Sequence, residues 1–250
     1  MRLLHISDDP SETSRAPVDD SLLADAVLSL AALKDMLTDM QLTAKRRLPA
    51  RARVHTAAVP GTNGSHGERL SAAHVFAALS DIRPPHGVLV EETPSNVAAL
   101  KEAWPITEPD TFYTFASGAL GWGLPASVGI ALAERASGRN RPVIAIIGDG
   151  SSQYAIQAMW NAAQLRLPLL IVIIRNEEYA ILKSFARLEQ TPDVPSLDLP
   201  GMDFVSTAKG YGCDAVRVSD LDAIKAEAAK AWGRAVPPCW KFPSHGTSLH

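Results

Sequence analysis

Cysteine is scarce. Two in 250 residues, Cys213 and Cys239, exclude a disulfide framework and make a reducing, cytoplasmic compartment the expectation. Long apolar runs are missing too: the longest stretch of large aliphatic residues, Leu169 to Ile174, is far short of the ~20 that span a bilayer. Met1 leads into Arg2-Leu3-Leu4-His5 and then Asp8-Asp9-Pro10, without the apolar centre of a secretory leader. No charge of one sign dominates. Lys and Arg total 24 against 27 Asp and Glu, a formal net charge of −3, which gives the whole chain no pull toward nucleic acid or an anionic membrane. A P-loop is excluded by the absence of Gly-Lys-Ser/Thr. Residues 118–123 read G-x-x-G-x-G, not the G-x-G-x-x-G of a dinucleotide fold. His5, His55, His66, His74, His86, His245 and His250 have no metal-ligand spacing. What is present is ordinary globular material, 46% hydrophobic and 20% charged, enough for one or two domains with a sizeable core.

The first seventeen residues read as a strand, Leu3-Leu4-His5-Ile6, stopped by a turn at Asp8-Asp9-Pro10. A helix is expected over 20–40 with Asp20 or Ser21 as its cap, because Leu23, Val27, Leu30, Leu33 and Leu37 recur at helical spacing. One strand and one helix cannot bury that face between them, so residues 1–40 read as the end of a domain. Residues 41–69 change character: Lys45, Arg46, Arg47, Arg51 and Arg53 precede Pro60-Gly61-Thr62-Asn63-Gly64. The stretch has no aromatic residue for base stacking and reads as a solvated linker.

From residue 70 helices and strands alternate. Ser71 caps a helix reaching Ile82; a strand spans Gly87 to Val90, and a helix Val97 to Trp104. The glycine turn at 118–123 opens a helix through Leu132. Strand Pro142–Ile147, a helix from about Tyr154 to Leu165, strand Leu169–Ile174 and a helix over about Leu221–Trp232 follow. The two strongest strands are continuously apolar, as a parallel sheet covered on both faces requires. The fold expected is α/β, a doubly wound parallel sheet with helices on both faces, preceded by a fragment of a second α/β domain.

Ligands in such a sheet bind beyond the carboxyl ends of the strands. Two strands here end in polar residues, Gly148-Asp149-Gly150-Ser151 and Arg175-Asn176-Glu177-Glu178-Tyr179. Neighbouring strands would place Asp149 beside Asn176, and a carboxylate, an amide oxygen and a main-chain carbonyl are hard ligands suited to Mg²⁺. Gly148 and Gly150 allow a tight turn after which N–H groups at the start of the next helix face an anion. Metal and helix start together form a cradle for a diphosphate.

Gly-Asp-Gly with an Asn closing the following apolar strand resembles the signature of thiamine diphosphate enzymes. Ala116-Ser117-Gly118-Ala119-Leu120-Gly121, Leu199-Pro200-Gly201-Met202-Asp203-Phe204, and Asp9-Pro10 with Ser14-Arg15-Ala16-Pro17 are similar to the benzoylformate decarboxylase group of the 2-oxo acid decarboxylases, over residues 2 to about 235. The resemblance implies thiamine diphosphate and Mg²⁺ as cofactors. It implies decarboxylation of an aromatic 2-oxo acid to an aldehyde and CO2. Residues 1–40 would be the C-terminal remnant of a middle domain, 41–69 a linker, 70–238 the diphosphate-binding domain and 239–250 an irregular tail.

Position by position, the resemblance makes Asp149, Asn176 and the Glu178 carbonyl the metal ligands. Gly148, Gly150, Ser151 and Tyr179 fall at the diphosphate, with Thr93 on the turn that closes over it. Gly118 would accept the cofactor's 4′-amino group through its carbonyl, Leu120 would wedge the cofactor into its bent shape, and Phe185 would line the substrate pocket. Two positions depart from the family: Arg175 replaces the first of two asparagines, and Glu177 replaces a glycine.

The family also implies partners. Its active site needs a carboxylate from the pyrimidine-binding domain of a neighbouring subunit, and the enzyme is a homo-oligomer when full length. Alternatives are a piece of an acetolactate synthase or indolepyruvate decarboxylase type of enzyme, and a non-catalytic cofactor-binding remnant. Cys239-Trp240-Lys241-Phe242-Pro243 stands where an apolar strand is expected, a pattern of a changed reading frame or an extension. Neither cysteine has the setting of a nucleophile.

Overall fold

The computed structural model describes residues 2–40, 70–233 and 242–243. The chain divides into two compact units, Met1–Arg53 and Val54–His250, and each is described by itself. The 41–69 linker and most of the 239–250 tail, Cys239 included, lie outside the described residues.

The first unit departs from the sequence reading. It contains β1 (Leu4–Ser7), α1 (Pro10–Arg15), β2 (Asp20–Leu23) and α2 (Ala26–Asp39). Asp9 and Pro10 open a helix where a turn is expected: Asp9 Oδ1 accepts from Ser11 N at 2.7 Å, and Pro10 sits at the first helical position. The expected single helix over 20–40 is a strand followed by a helix. Leu22 and Leu23 fit a helical period, yet Asp20–Leu23 pairs in parallel with Leu4–Ser7, and that pairing decides the backbone. Asp25, not Asp20 or Ser21, is the cap, its Oδ1 taking Leu28 N at 2.8 Å. Nothing in α2 is buried, and Val27 is 75% exposed.

The second unit runs α3 (Ala72–Asp81), β3 (Val88–Glu92), α4 (Val97–Ala103), β4 (Phe112–Thr114), α5 (Gly123–Ala136), β5 (Val143–Gly148), α6 (Asp149–Gln153), α7 (Ala158–Gln164), β6 (Leu169–Arg175), α8 (Ala180–Leu188), α9 (Phe204–Gly210), α10 (Leu221–Gly233) and β7 (Phe242–Pro243). The sheet order is β4-β3-β5-β6-β7, all parallel. Alternation along each strand sends side chains to opposite faces. Val143, Ala145 and Ile147 pack with Leu124, Met159 and Phe204, while Ile144 and Ile146 pack with Phe76, Leu79 and Ile224. Helices therefore cover both faces, and the sheet is doubly wound.

Three details differ from expectation. The helix expected over Tyr154–Leu165 is α6 and α7, separated where Tyr154 N and Ala158 N bond back only three residues, to Ser151 and Ala155. The strand expected over Gly87–Val90 ends two residues later on Glu91 and Glu92. The tail is not irregular throughout, since Phe242 and Pro243 pair with Ile174 and Arg175. No helix among the described residues is long and apolar enough to cross a membrane. Cys213 is buried, with its Sγ 3.4 Å from the Met159 carbonyl oxygen, and takes no part in the site.

At the far end of α5, Glu134 is 1% exposed and accepts from two guanidinium groups: Arg139 Nη2 at 2.7 Å and Arg141 Nη2 at 2.7 Å. The Arg141 hydrogen bonds, and then those of Arg139, hold its carboxyl at about 2 against an ordinary 4.5.

Candidate cofactor site

The chain reverses direction in the sheet between β3 and β5: β4 is added on one side of β3, and β5 on the other. Such a switch point is where doubly wound sheets open a crevice at the strands' carboxyl ends. A cleft lies there, walled by Thr93–Asn96 after β3, Gly148–Ser151 where β5 ends, and Asn176, Glu178 and Tyr179 after β6, among others.

Asp149 is the hub of this cleft. It is 2% exposed, and its carboxylate accepts Gly150 N at 2.9 Å on Oδ1, with Asn176 N at 3.1 Å and Glu177 N at 2.7 Å on Oδ2. The two strand ends are thereby tied through a single side chain. Burial pushes the Asp149 carboxyl up, against the downward pull of those three N–H groups. One N–H expected to face an anion, that of Gly150, is thus turned to Asp149. Asn176 Oδ1 accepts from Glu178 N at 3.3 Å. The Glu178 carboxylate is engaged by Lys183 Nζ at 2.5 Å, and Lys183 also meets Asp198 at 2.6 Å.

Gly150 has no room for a side chain: a Cβ there would stand 2.5 Å from Tyr179 Cε1 and 3.1 Å from Leu199 Cδ1. Burial and the Tyr154 hydroxyl raise Tyr179 above an ordinary phenol. The 197–199 segment is strapped to the turn, Tyr179 N to Leu197 O at 2.8 Å and Leu199 N to Glu177 O at 2.7 Å. Glu177 adopts a left-handed φ of 61° and pairs with Arg175, whose side chain is 10% exposed.

Thr93, Leu120, Gly148, Asp149, Gly150, Ser151, Asn176, Glu178 and Tyr179 all line this cleft. Gly118 and Phe185 do not. Gly118 is exposed with nothing within 4 Å of where a Cβ would be, so this loop conformation places no steric demand on it. Phe185 is 53% exposed on α8, one turn beyond the lining residue Ile181. Sequence reasoning missed Pro94, Ser95, Asn96, Ile174 and Ile181, which carry no mark apart from their position beside strand ends.

It also gave no structural part to the carboxylates that close β3. Glu91 accepts Thr93 N at 2.5 Å and Thr114 Oγ1 at 2.7 Å, fixing the turn that carries Thr93. Glu92 accepts from the N–H groups of Gly121, at 2.6 Å, and Gly123. Burial raises its carboxyl above the usual range, with those bonds pulling the other way. The available signal was a pair of acidic residues ending an otherwise apolar strand.

Residues 95–239 match the model of the thiamine pyrophosphate enzyme C-terminal, TPP-binding domain. The chain belongs to this family. It is 35% identical over 223 residues to benzoylformate decarboxylase of Pseudomonas aeruginosa, covering 89% of this chain and 40% of that protein. The E. coli acetolactate synthase isozyme 2 large subunit is 27% identical over 164 residues, covering 64% of this chain and 29% of that one. The crystal structure of benzoylformate decarboxylase from Polynucleobacter necessarius superimposes with a TM-score of 0.79 at 40% identity, over 98% of this chain and 44% of that one. The thiamine diphosphate-dependent 4-hydroxybenzoylformate decarboxylase of Rhodococcus jostii RHA1 gives 0.80 at 31% identity, with 98% and 44% coverage. The chain therefore spans less than half the length of these relatives of the TPP-binding family.

The described residues fit the cofactor class. No cluster of three His, Cys, Asp or Glu side chains occurs among them. The cleft instead offers one buried carboxylate, one amide oxygen and the main chain at Glu178, a hard-oxygen set of the kind Mg²⁺ accepts. Glu178 lines the cleft with its carboxylate engaged by Lys183.

Proposed function

We propose that this chain is the thiamine diphosphate- and Mg²⁺-binding portion of a benzoylformate decarboxylase-like enzyme. Such an enzyme converts an aromatic 2-oxo acid to an aldehyde and CO2. The observation that carries this reading is the convergence of Asp149, Asn176 and Glu178 on one cleft at the sheet's switch point, in a chain of the TPP-binding family. Asp149, Asn176 and the Glu178 carbonyl would hold Mg²⁺. Gly148, Gly150, Ser151, Tyr179 and Thr93 would surround the diphosphate, Leu120 and the Gly118 carbonyl would orient the rings, and Phe185 would face the substrate.

Bound thiamine diphosphate supplies the means of stabilising negative charge at the substrate's carbonyl carbon once CO2 leaves. The chain's own contribution is to bind and orient. Asp149 presents charge where burial has stripped it of water, which strengthens its attraction for a cation. Tyr179, seated against Gly150, closes one wall of the cleft and excludes solvent there. The acid–base carboxylate, in this reading, comes from the pyrimidine-binding domain of a neighbouring subunit in a homo-oligomer. Relatedness to acetolactate synthases supports a second reading, the same cofactor portion serving 2-oxo acid condensation.

Calorimetric titration tests the cofactor assignment. Wild type should bind thiamine diphosphate only with Mg²⁺, and Asp149→Ala should bind neither detectably, since the cation loses its one carboxylate. Unchanged affinity in the variant would refute the metal assignment. Benzaldehyde release, assayed with this chain alone and with a separately expressed N-terminal portion of a relative, tests the rest. General acid–base help is worth roughly 10²–10⁴-fold, so the chain alone should be nearly silent. Robust turnover by the chain alone would move the acid–base role to a carboxylate within it, such as Glu91, Glu92 or Glu177.

A further inference from the structure

Helix α5 begins without a capping side chain of its own. Trp122 stands at the cap position, and its side chain makes no capping hydrogen bond. The N–H groups there are taken instead by Glu92, which reaches across from the end of β3. Gly121 N donates to Oε1 at 2.6 Å and Gly123 N donates to Oε2. The approach is close. A Cβ on Gly123 would lie 2.8 Å from Glu92 Oε2 and 2.6 Å from Ile147 Cδ1, while Gly121 holds a φ of +101° that a side chain would resist. Glu92 is 1% exposed, so these bonds are made out of water, where a carboxylate needs its partners and holds them tightly.

The residue just before this turn is Leu120, a wall of the cleft. We propose that Glu92 is a positioning residue of the cofactor cleft, its carboxylate clamping the 121–123 turn and so fixing where Leu120 stands. The clamp follows from the contacts alone; its effect on cofactor binding rests on the function proposed above. Glutamine in place of Glu92 keeps one acceptor and sets an NH2 against the other N–H, so one end of the turn is released. Aspartate is shorter by a methylene and cannot span both amides from the same backbone position.

The test compares three versions of the 250-residue chain: wild type, Glu92→Gln, and Glu134→Gln as a control that weakens the fold at the opposite end of α5. Two quantities are measured at a temperature where all three are folded. One is affinity for thiamine diphosphate with Mg²⁺ by calorimetry. The other is hydrogen exchange at Gly121 and Gly123 without cofactor. Glu92→Gln should lose about tenfold or more in affinity, the scale on which removing the support of a binding group is felt. Its Gly121 or Gly123 amide should exchange at least tenfold faster while β5 amides change no more than in the control. Glu134→Gln should bind as wild type does. Wild-type affinity in Glu92→Gln overturns the positioning role, and wild-type exchange at both glycines overturns the clamp itself. Absence of binding by the wild type would refute the proposed function and not the clamp, which the exchange rates decide by themselves.

Discussion

Replacing Glu134 by glutamine removes a buried charge that two arginines share. Arg139 approaches through Nε at 3.1 Å and Nη2 at 2.7 Å, and Arg141 through Nε at 3.0 Å and Nη2 at 2.7 Å. A carboxyl held at about 2 in the fold and 4.5 when unrestrained corresponds to roughly 3 kcal/mol at neutral pH. Arg139 is 55% exposed and water screens its share, which lowers the expectation to about 2 kcal/mol. For a unit of this size that is a fall of about 4–8 °C in melting temperature. The folded-state value is depressed, so the stabilisation is complete above about pH 5 and disappears as pH falls through 2. Less than about half should remain at pH 3. Thermal unfolding of wild type and Glu134→Gln at pH 7 and pH 3, in matched salt, measures this. A difference between the two proteins that is as large at pH 3 as at pH 7 would refute the electrostatic account and leave packing as the cause.

Gly150→Ala should cost about 1–3 kcal/mol, because a Cβ meets the Tyr179 ring at 2.5 Å with Leu199 behind it; near-ultraviolet circular dichroism should report the displaced tyrosine, and an unchanged spectrum with unchanged stability would contradict the packing described. Glu177→Gly relieves a left-handed backbone worth about 1–2 kcal/mol but strips Arg175 of a carboxylate in a site where that side chain is 10% exposed. The Glu177 side chain is 38% exposed, which discounts the pair to about 1 kcal/mol. Urea unfolding should therefore show a net change below about 1 kcal/mol, and a loss beyond about 2 kcal/mol would show that the ion pair outweighs the backbone strain. Deleting residues 1–45 should raise solubility, since Val27, Leu28 and Leu30 are 75%, 72% and 60% exposed; precipitation of the shortened protein would mean that this segment shields the second unit.

The parts legible in the sequence are those whose physics is local. Val143–Ile147 and Leu169–Ile174 are uninterrupted apolar runs because both faces of those strands are covered, and a polar residue directly after such a run has one place to go, the sheet's rim. That logic reached Asp149 and Asn176. It failed at β2, where the helical spacing of Leu23 and Val27 competed with pairing to β1 that no local pattern announces. It failed also at β4, too short and too exposed at Phe112–Thr114 to show a period. Glu92 shows the same limit within the site: its partners Gly121 and Gly123 lie beyond an intervening helix and strand, and the clamp exists only after those fold. Ser71 at α3 marks the opposite case, a cap whose bond to His74 N at 3.4 Å stays within its own turn.

The walls of the cleft come from segments scattered between Thr93 and Ile181, joined only where β3, β5 and β6 already lie side by side. No shorter stretch of chain holds the binding groups together. Ligand affinity is therefore a property of the finished sheet, and binding energy must feed back on the stability of the whole second unit in proportion to the logarithm of ligand concentration. Kinetically, these non-local pairings must form before there is anything to bind. Cofactor should accordingly leave the refolding rate almost untouched and slow unfolding instead, making residence time in the native state the quantity it controls.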